Sequence, residues 1–233
     1  DITTGMPAGL TIPQPEIGFL LDVVAATFAT PLRRDDVVGA YAGLRPLLDG
    51  GDGSTADLSR RHAVLTGRSG MVTVVGGKLT TYRRMAQDTV DAVCKLRGER
   101  RRCRTKRLSL RGAVGSGGAG TDSHMAGRFG GEASAVLDLV VADPSLGEPL
   151  VPGLAYLRAE AVYAVRHEMA VTLDDVLARR TRARLEDRTA TLAAAPEVAT
   201  LVAEAAGWSD ERRDAELAAF RASVEAESAA QAV

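Results

Sequence analysis

Lysine is nearly missing from this chain: of 29 basic residues only Lys78, Lys95 and Lys106 are lysines, and the rest are arginines. Acidic residues balance them to a net charge of −1, which excludes global steering toward nucleic acid or an anionic membrane. Cysteine is equally scarce. Cys94 and Cys103 lie outside any Cys-x-x-Cys pair, which excludes a disulfide framework and points to a reducing compartment. The three histidines, His62, His124 and His167, form no HxxxH or HExxH spacing, and Val171 stands where a second ligand to partner His167 would be needed. No metal site is predicted. No apolar run reaches the roughly 20 residues of a membrane-spanning helix. The opening Asp1-Ile-Thr-Thr carries neither an initiator methionine nor a signal peptide, so the chain reads as one entered partway through.

What is present suffices for a globular protein. The 233 residues, 45% hydrophobic and 25% charged, fill one large domain or two modest ones. The most informative stretch is Val74-Val-Gly-Gly-Lys-Leu-Thr-Thr-Tyr-Arg83. Val72 to Val75 read as a strand, Gly76 and Gly77 allow a tight turn or a close approach, and Thr80 and Thr81 can cap a helix to about Leu96. Met85, Thr89, Val93 and Leu96 recur there at helical spacing. A glycine turn at a helix start gathers unpaired N–H groups and the positive end of the dipole, which suits an anion. Lys78 adds a full charge at that point.

Along the chain, residues 16–28 show helical spacing after Pro13 and Pro15, and the β-branched start and terminal proline of Val37 to Leu47 favour a strand over a helix. Gly50 to Ser54 is a loop. His62–Thr66 and Met71–Val75 flank Gly67-Arg-Ser-Gly70, the pattern of a hairpin with a four-residue loop. Lys95 to Arg107 carries eight basic residues without interleaved aromatics; it reads as a solvated helix end and linker rather than a nucleic-acid surface, with a membrane surface as the alternative. From Glu132 onward the chain is alanine-rich and helical. Thr172-Leu-Asp-Asp175 predicts a capping box opening a helix through about Arg184, and Pro196 and Ser209 start two more, the last burying Leu217, Phe220 and Val224. The expected class is α+β, with a mixed part over 1–100, a linker over 101–124 and an all-α domain over 125–233.

Gly115-Ser-Gly-Gly-Ala-Gly120 matches GxGxxG letter for letter. An arginine-rich segment precedes it and no helical stripe follows, so it reads as a glycine loop rather than a dinucleotide site. His167 reads as a helix residue and His124 as a loop residue. His62 stands at the hairpin start beside Arg60 and Arg61, and a direct chemical role for it stays open. Arg45 and one of the adjacent pair Arg60 and Arg61, brought together with Lys78 by adjacent strands, would form an anion pocket beside the glycine turn.

Tyr41-Ala-Gly-Leu-Arg-Pro-Leu47, Leu58-Ser-Arg-Arg-His62 and Gly76-Gly-Lys-Leu-Thr-Thr-Tyr-Arg83 closely resemble, in order and spacing, the C-terminal part of FAD-dependent glycerol-3-phosphate dehydrogenases. Arg128-Phe-Gly130 is similar to that family's Arg-Tyr-Gly, and Ala155-Tyr-Leu-Arg-Ala-Glu160 to the start of its helical segment. Val165-Arg-His-Glu-Met169 and Asp174-Asp-Val-Leu-Ala-Arg-Arg-Thr181 resemble its His-Glu and Asp-Asp-x-Leu-x-Arg-Arg-Thr motifs. The resemblance covers most of the chain.

It implies oxidation of sn-glycerol 3-phosphate to dihydroxyacetone phosphate, with electrons passed through FAD to a quinone. A glycerol-3-phosphate oxidase making hydrogen peroxide is the nearest rival, and a non-catalytic helical docking module over 125–233 a rival of another class. Arg45 and Arg60 would hold the substrate phosphate, with Arg61 blurring which of the adjacent pair acts, and Lys78 would lie near substrate or product. Gly76, Gly77, Lys78, Leu79 and Thr80 would approach the flavin ring. A helix start and a lysine would stabilise the negative charge that a hydride leaves on the ring. The implied partners are glycerol 3-phosphate, a quinone and a membrane surface, with no nucleic acid; the implied location is cytoplasmic, peripheral on the inner face of the membrane. The family's N-terminal strand–GxGxxG–helix is absent from these residues, so the chain alone is expected neither to hold FAD tightly nor to turn over.

Overall fold

The computed structural model describes residues 14–37, 40, 43, 62–113 and 123–232. It is mostly helical with one two-stranded sheet, an α+β arrangement as expected. Two compact units are present. One holds the described residues 43 and 62–110, and the other holds 14–37, 40, 111–113 and 123–232.

In the first unit, β1 (His62–Thr66) pairs antiparallel with β2 (Val72–Gly76), in register from His62 opposite Gly76 to Thr66 opposite Val72. β-branched residues dominate β2 and favour the extended chain. The Gly67 N–H donates to the Met71 carbonyl at 2.8 Å, and Gly70 takes a φ of 82°, which glycine adopts without strain. A 3₁₀ turn, Leu79–Thr81, then leads into α2 (Tyr82–Leu96), so the α-helix proper begins two residues after the expected Thr80. Its less exposed face is Met85, Asp88, Thr89 and Ala92, whereas Val93 and Leu96 are exposed. The expected stripe is thus rotated, because the position facing the hairpin is taken by a carboxylate with a partner there. Arg83 reaches across to the Thr105 hydroxyl at 3.1 Å, which ties the 97–107 segment to α2.

The second unit includes α1 (Gln14–Ala25), with Ile17 buried, and a bundle: α3 (Ser123–Phe129), α4 (Ala133–Ala142), α5 (Arg158–His167), α6 (Ala183–Glu186), α7 (Arg188–Ala206) and α8 (Asp210–Ala232). α5 packs on α7, and α7 on α8. Ala159, Ala161 and Ala164 of α5 and Ala194, Ala195 and Ala199 of α7 are buried, and such small side chains let helix backbones approach closely. Phe220 and Val224 are buried and Leu217 partly so, as the α8 pattern predicts.

Three expectations are corrected here. Ser123–Phe129 is helical, so His124 is a helix residue and not a loop residue. Pro196 lies inside α7 rather than at its start, because the Asp187 carboxylate caps the helix earlier by accepting from the Ala190 N–H at 2.8 Å. Burial along α7 outweighs the single hydrogen bond that proline removes. Thr172 and Asp175 do form the reciprocal capping box, with bonds of 3.1 and 3.0 Å. The helix they open nevertheless does not run to Arg184. Residues Asp175–Arg180 form a π-helical turn, since the buried Thr181 sends both its N–H and its hydroxyl back to the Val176 carbonyl at 2.9 and 2.7 Å. The expected strand over 37–47, the loop at 50–54 and the GxGxxG stretch over 115–120 lie outside the described residues, apart from positions 37, 40 and 43.

Candidate functional site

The glycine turn joins the last rung of the hairpin to α2. Gly76 and Gly77 have φ of 75° and 91°, a region closed to most side chains. A Cβ on Gly77 would also sit 2.5 Å from Met85 Sδ and 3.3 Å from His62 Cβ. Turn and helix are therefore pressed together in a way only glycine allows. The Thr81 hydroxyl donates to the Lys78 carbonyl at 2.9 Å and lies 3.3 Å from the Lys78 N–H, which locks the bend. The N–H groups of Leu79 and Thr80 open the 3₁₀ turn and have no carbonyl within it to bond. Leu79 is 88% exposed. Lys78 is exposed and has no carboxylate partner among the described residues. Backbone donors, a free ammonium and an outward apolar side chain are thus presented within three consecutive residues.

His62 lies beneath this turn. Its Nε2 is 2.9 Å from Asp88 Oδ2, and Asp88 Oδ1 is 3.0 Å from Arg84 Nε on the same helix. The hydrogen bond with His62, aided by the Arg84 guanidinium, holds the Asp88 carboxyl below its ordinary value. Of the residues singled out in the sequence, the structure brings together His62, Gly76, Gly77, Lys78, Leu79 and Thr80. Arg45, Arg60 and Arg61 lie outside the described residues. Asp88 was not among the candidates. Its signal was present as an i, i+4 pair with Arg84 on the face of α2 that turns toward the hairpin.

Beside the C-terminal end of α2, a cleft of about 780 Å³ is lined by Cys94, Lys95, Arg100, Arg101 and Arg102 among others. Glu99 pairs with Arg97 and Arg101 at 2.8 Å each. Arg100, Arg102, Arg104, Lys106 and Arg107 have no carboxylate partner among the described residues. The hydroxyl of Thr105, 3.1 Å from Cys103 Sγ, pulls the Cys103 thiol below its ordinary value, helped by Arg83.

The family-like motifs of the helical unit converge on a different kind of centre. Glu160 is 1% exposed. One carboxylate oxygen meets His124 Nε2 at 2.9 Å and accepts from the Leu157 N–H at 2.8 Å, and the other is 2.6 Å from Arg128 Nε. The Arg128 guanidinium lies over the rings of Phe129 and Tyr156, 5.1 and 5.3 Å from their centroids. Tyr156 donates to Glu186 at 2.7 Å, and burial followed by that carboxylate raises its hydroxyl above its ordinary value. Glu132 binds Arg111 and Tyr163, at 2.7 and 3.0 Å, and its carboxyl is lowered mainly by Arg111. Gly130 of Arg128-Phe-Gly130 has a φ of 55°, and a Cβ there would run into the Gly112 carbonyl. These charges are matched to one another around the buried Glu160, with Arg111 and Glu186 at the exposed margin, so they hold helices rather than present a ligand site. Among the described residues no His, Cys, Asp and Glu group could hold a metal ion.

Comparison with known proteins bears on both units. Residues 103–213 match the family described as the C-terminal domain of alpha-glycerophosphate oxidase. The chain is 45% identical over 202 residues to glycerol-3-phosphate dehydrogenase 1 of Mycobacterium bovis, covering 80% of this chain and 39% of that protein. It is 40% identical over 235 aligned positions to glycerol-3-phosphate dehydrogenase 2 of Mycobacterium tuberculosis, covering 94% of this chain and 40% of that protein. The chain thus spans about two fifths of the length of these relatives. A crystal structure of the glycerol-3-phosphate dehydrogenase from Bacillus halodurans, complexed with FAD, superposes with a TM-score of 0.70 at 23% identity, over 94% of this chain and 46% of that one. At that identity the likeness shows the fold.

Proposed function

We propose a function from the premise that the chain belongs to the FAD-dependent glycerol-3-phosphate dehydrogenase family, as a C-terminal portion. The protein to which it contributes oxidises sn-glycerol 3-phosphate to dihydroxyacetone phosphate, with FAD as the cofactor and a quinone as the electron acceptor. The observation that carries this reading is the Gly76–Gly77 turn with Lys78, unpaired among the described residues, at the head of α2.

The residues fit a flavin edge. Two positive-φ glycines remove side chains from the approach, and the absent Cβ of Gly77 lets the turn lie flat on Met85. When bound, FAD supplies the hydride acceptor for carbon 2 of the substrate. Lys78 and the N–H groups that open the turn supply positive potential where negative charge develops, so they favour the transition state over the ground state. Gly76, Gly77, Leu79 and Thr80 give the ring a close backbone approach. Arg45 and Arg60 answer the substrate phosphate, which carries close to two negative charges near neutral pH, and so hold the substrate against the ring.

The test uses full-length, FAD-loaded protein. Arg45→Ala and Arg60→Ala are expected to raise KM for glycerol 3-phosphate by about 10- to 100-fold, as loss of a charge-assisted bond of about 1.5–3 kcal/mol would. Arg61→Ala is expected to do less, and Lys78→Met to act on kcat. Wild-type KM in both Arg45→Ala and Arg60→Ala would remove the anion pocket. The matched family's description favours one second reading, an oxidase passing electrons to O₂; peroxide release measured against quinone reduction decides between them.

A cytoplasmic location, peripheral on the inner membrane face, is part of the proposal. The five cations between Arg100 and Arg107 without a carboxylate partner among the described residues, next to the exposed Val90, Leu96 and Leu108, support it. No helix among the described residues is long and apolar enough to cross a membrane.

A further inference from the structure

The hairpin unit holds its glycine turn with little hydrophobic packing. Among its described residues none is buried, and the contact between hairpin and α2 rests on half-buried side chains such as Met85 and Val75. His62 Nε2 to Asp88 Oδ2, at 2.9 Å, is the one side-chain hydrogen bond joining the hairpin to α2 among the described residues. Its placement is specific. His62 pairs with Gly76 in the final rung of the ladder, and its Cβ would contact any side chain added to Gly77. Asp88 sits on the second turn of α2, directly on the face below the bend. Arg84, the other partner of Asp88, is mostly exposed, so that contact contributes little beyond orienting the carboxylate. The path of the turn, and with it the direction of the N–H groups of Leu79 and Thr80, is therefore set by a charge-assisted clamp rather than by a core.

We propose that His62 and Asp88 are positioning residues: their hydrogen bond fixes the Gly76–Thr80 turn against α2 and so sets the placement of Lys78 and the turn amides at the flavin edge. This rests on the reading of that turn as a flavin edge. His62 acts through the backbone it anchors and need not touch substrate. The half-buried setting of the pair makes it stronger than a surface ion pair, because water competes less well for the two groups.

The experiment compares full-length, FAD-loaded protein with Asp88→Asn, His62→Ala, the double variant and Asp88→Glu, with Lys78→Met in parallel. Three quantities are read: the visible absorption spectrum of the flavin with its dissociation constant, kcat and KM separately, and the unfolding midpoint. Each single variant is expected to lower kcat about tenfold while KM for glycerol 3-phosphate stays within about twofold, and to shift the flavin spectrum. The double variant is expected to be no worse than either single, since one interaction is lost only once. Asp88→Glu is expected to restore part of the loss. Single variants that lower only the unfolding midpoint, with spectrum and kcat unchanged, would overturn the proposal. Additive losses in the double variant would overturn it too. If Lys78→Met changes the spectrum and these variants do not, the clamp alone fails. If Lys78→Met also leaves spectrum and kcat untouched, the flavin-edge reading fails with it.

Discussion

The hairpin unit and the helical unit solve opposite problems with the same alphabet. In the helical unit Phe220, Leu173, Leu177, Val176 and Met125 are almost fully buried, and even the charged Glu160 is enclosed with its partners. In the hairpin unit no described residue is buried, while Leu65, Met71, Leu79, Val90, Leu96, Leu108 and Leu110 are exposed. Buried apolar area is the main stabilising force, so one unit is held by packing and the other by turn geometry and a few polar contacts. The residues proposed to meet the flavin, Gly76 to Thr80, lie in the second kind. Elements that present backbone donors and a free lysine to a ligand cannot also bury them.

Mutation can break this comparison, and the largest effect is expected at Glu160. Glu160→Ala strands Arg128 and His124 against buried rings and is expected to cost about 3–5 kcal/mol in denaturant unfolding, the usual result of removing one partner of a buried pair. A loss under about 1 kcal/mol would mean that the enclosed charges are not what holds α3 to α5.

Acid sharpens the same point. The carboxyls of Glu132 and Asp175 are held below their ordinary values of 4.5 and 3.8. Arg111 is the main cause for Glu132. For Asp175, burial works the other way but is outweighed by the N–H groups of Val171 and Thr172. Groups lowered on folding stabilise fully above their unfolded values, and that contribution drains as pH falls through the folded ones. Helical content followed from pH 7 downward should hold steady until about pH 4 and then fall. A loss beginning near pH 6 would show that these carboxylates do not set the acid limit.

A smaller effect, with the opposite sign, is expected at Met169. It is a non-glycine residue with φ of 58°, 82% exposed, at the end of α5, where the Ala170 N–H returns to the Ala164 carbonyl. Glycine normally fills that position. Met169→Gly is expected to stabilise the unit by about 0.5–1 kcal/mol, because the left-handed strain exceeds the entropy glycine adds. Destabilisation would show that the methionine side chain has a contact worth more than the strain. The smallest change is expected in the hairpin unit. Leu96→Ala removes an exposed side chain and should shift stability by less than about 0.5 kcal/mol; a core-sized loss would mean that α2 is packed after all.

Local signals were the most legible. The hairpin around Gly67-Arg-Ser-Gly70, the Thr172–Asp175 capping box and the α8 stripe of Leu217, Phe220 and Val224 each depend on neighbours within a turn or two, and each is present. What failed depended on distant partners. Thr181 converts a helix to a π turn only because it is buried. Pro196 is carried inside α7 because a cap nine residues away and the surrounding core outweigh its own preference. The polar face of α2 turns inward because His62 meets Asp88 from 26 residues away. At the candidate site, the glycines and Lys78 were visible as a string, whereas their clamp was not.

The sequence by itself determined the turn: paired glycines, a lysine and two threonines after a β-branched strand specify a bend with free donors, since only glycine tolerates those dihedrals without strain. It also specified the α+β class and the family motifs. Tertiary structure alone decided what each charge faces. Arg128, His124 and Glu160 are scattered over 37 residues, from 124 to 160, and become one cluster around a buried carboxylate. Lys78 keeps its charge uncommitted among the described residues. Burial and partnership are properties of packing, and no local pattern encodes which of two similar charges will be enclosed and which left to meet a ligand.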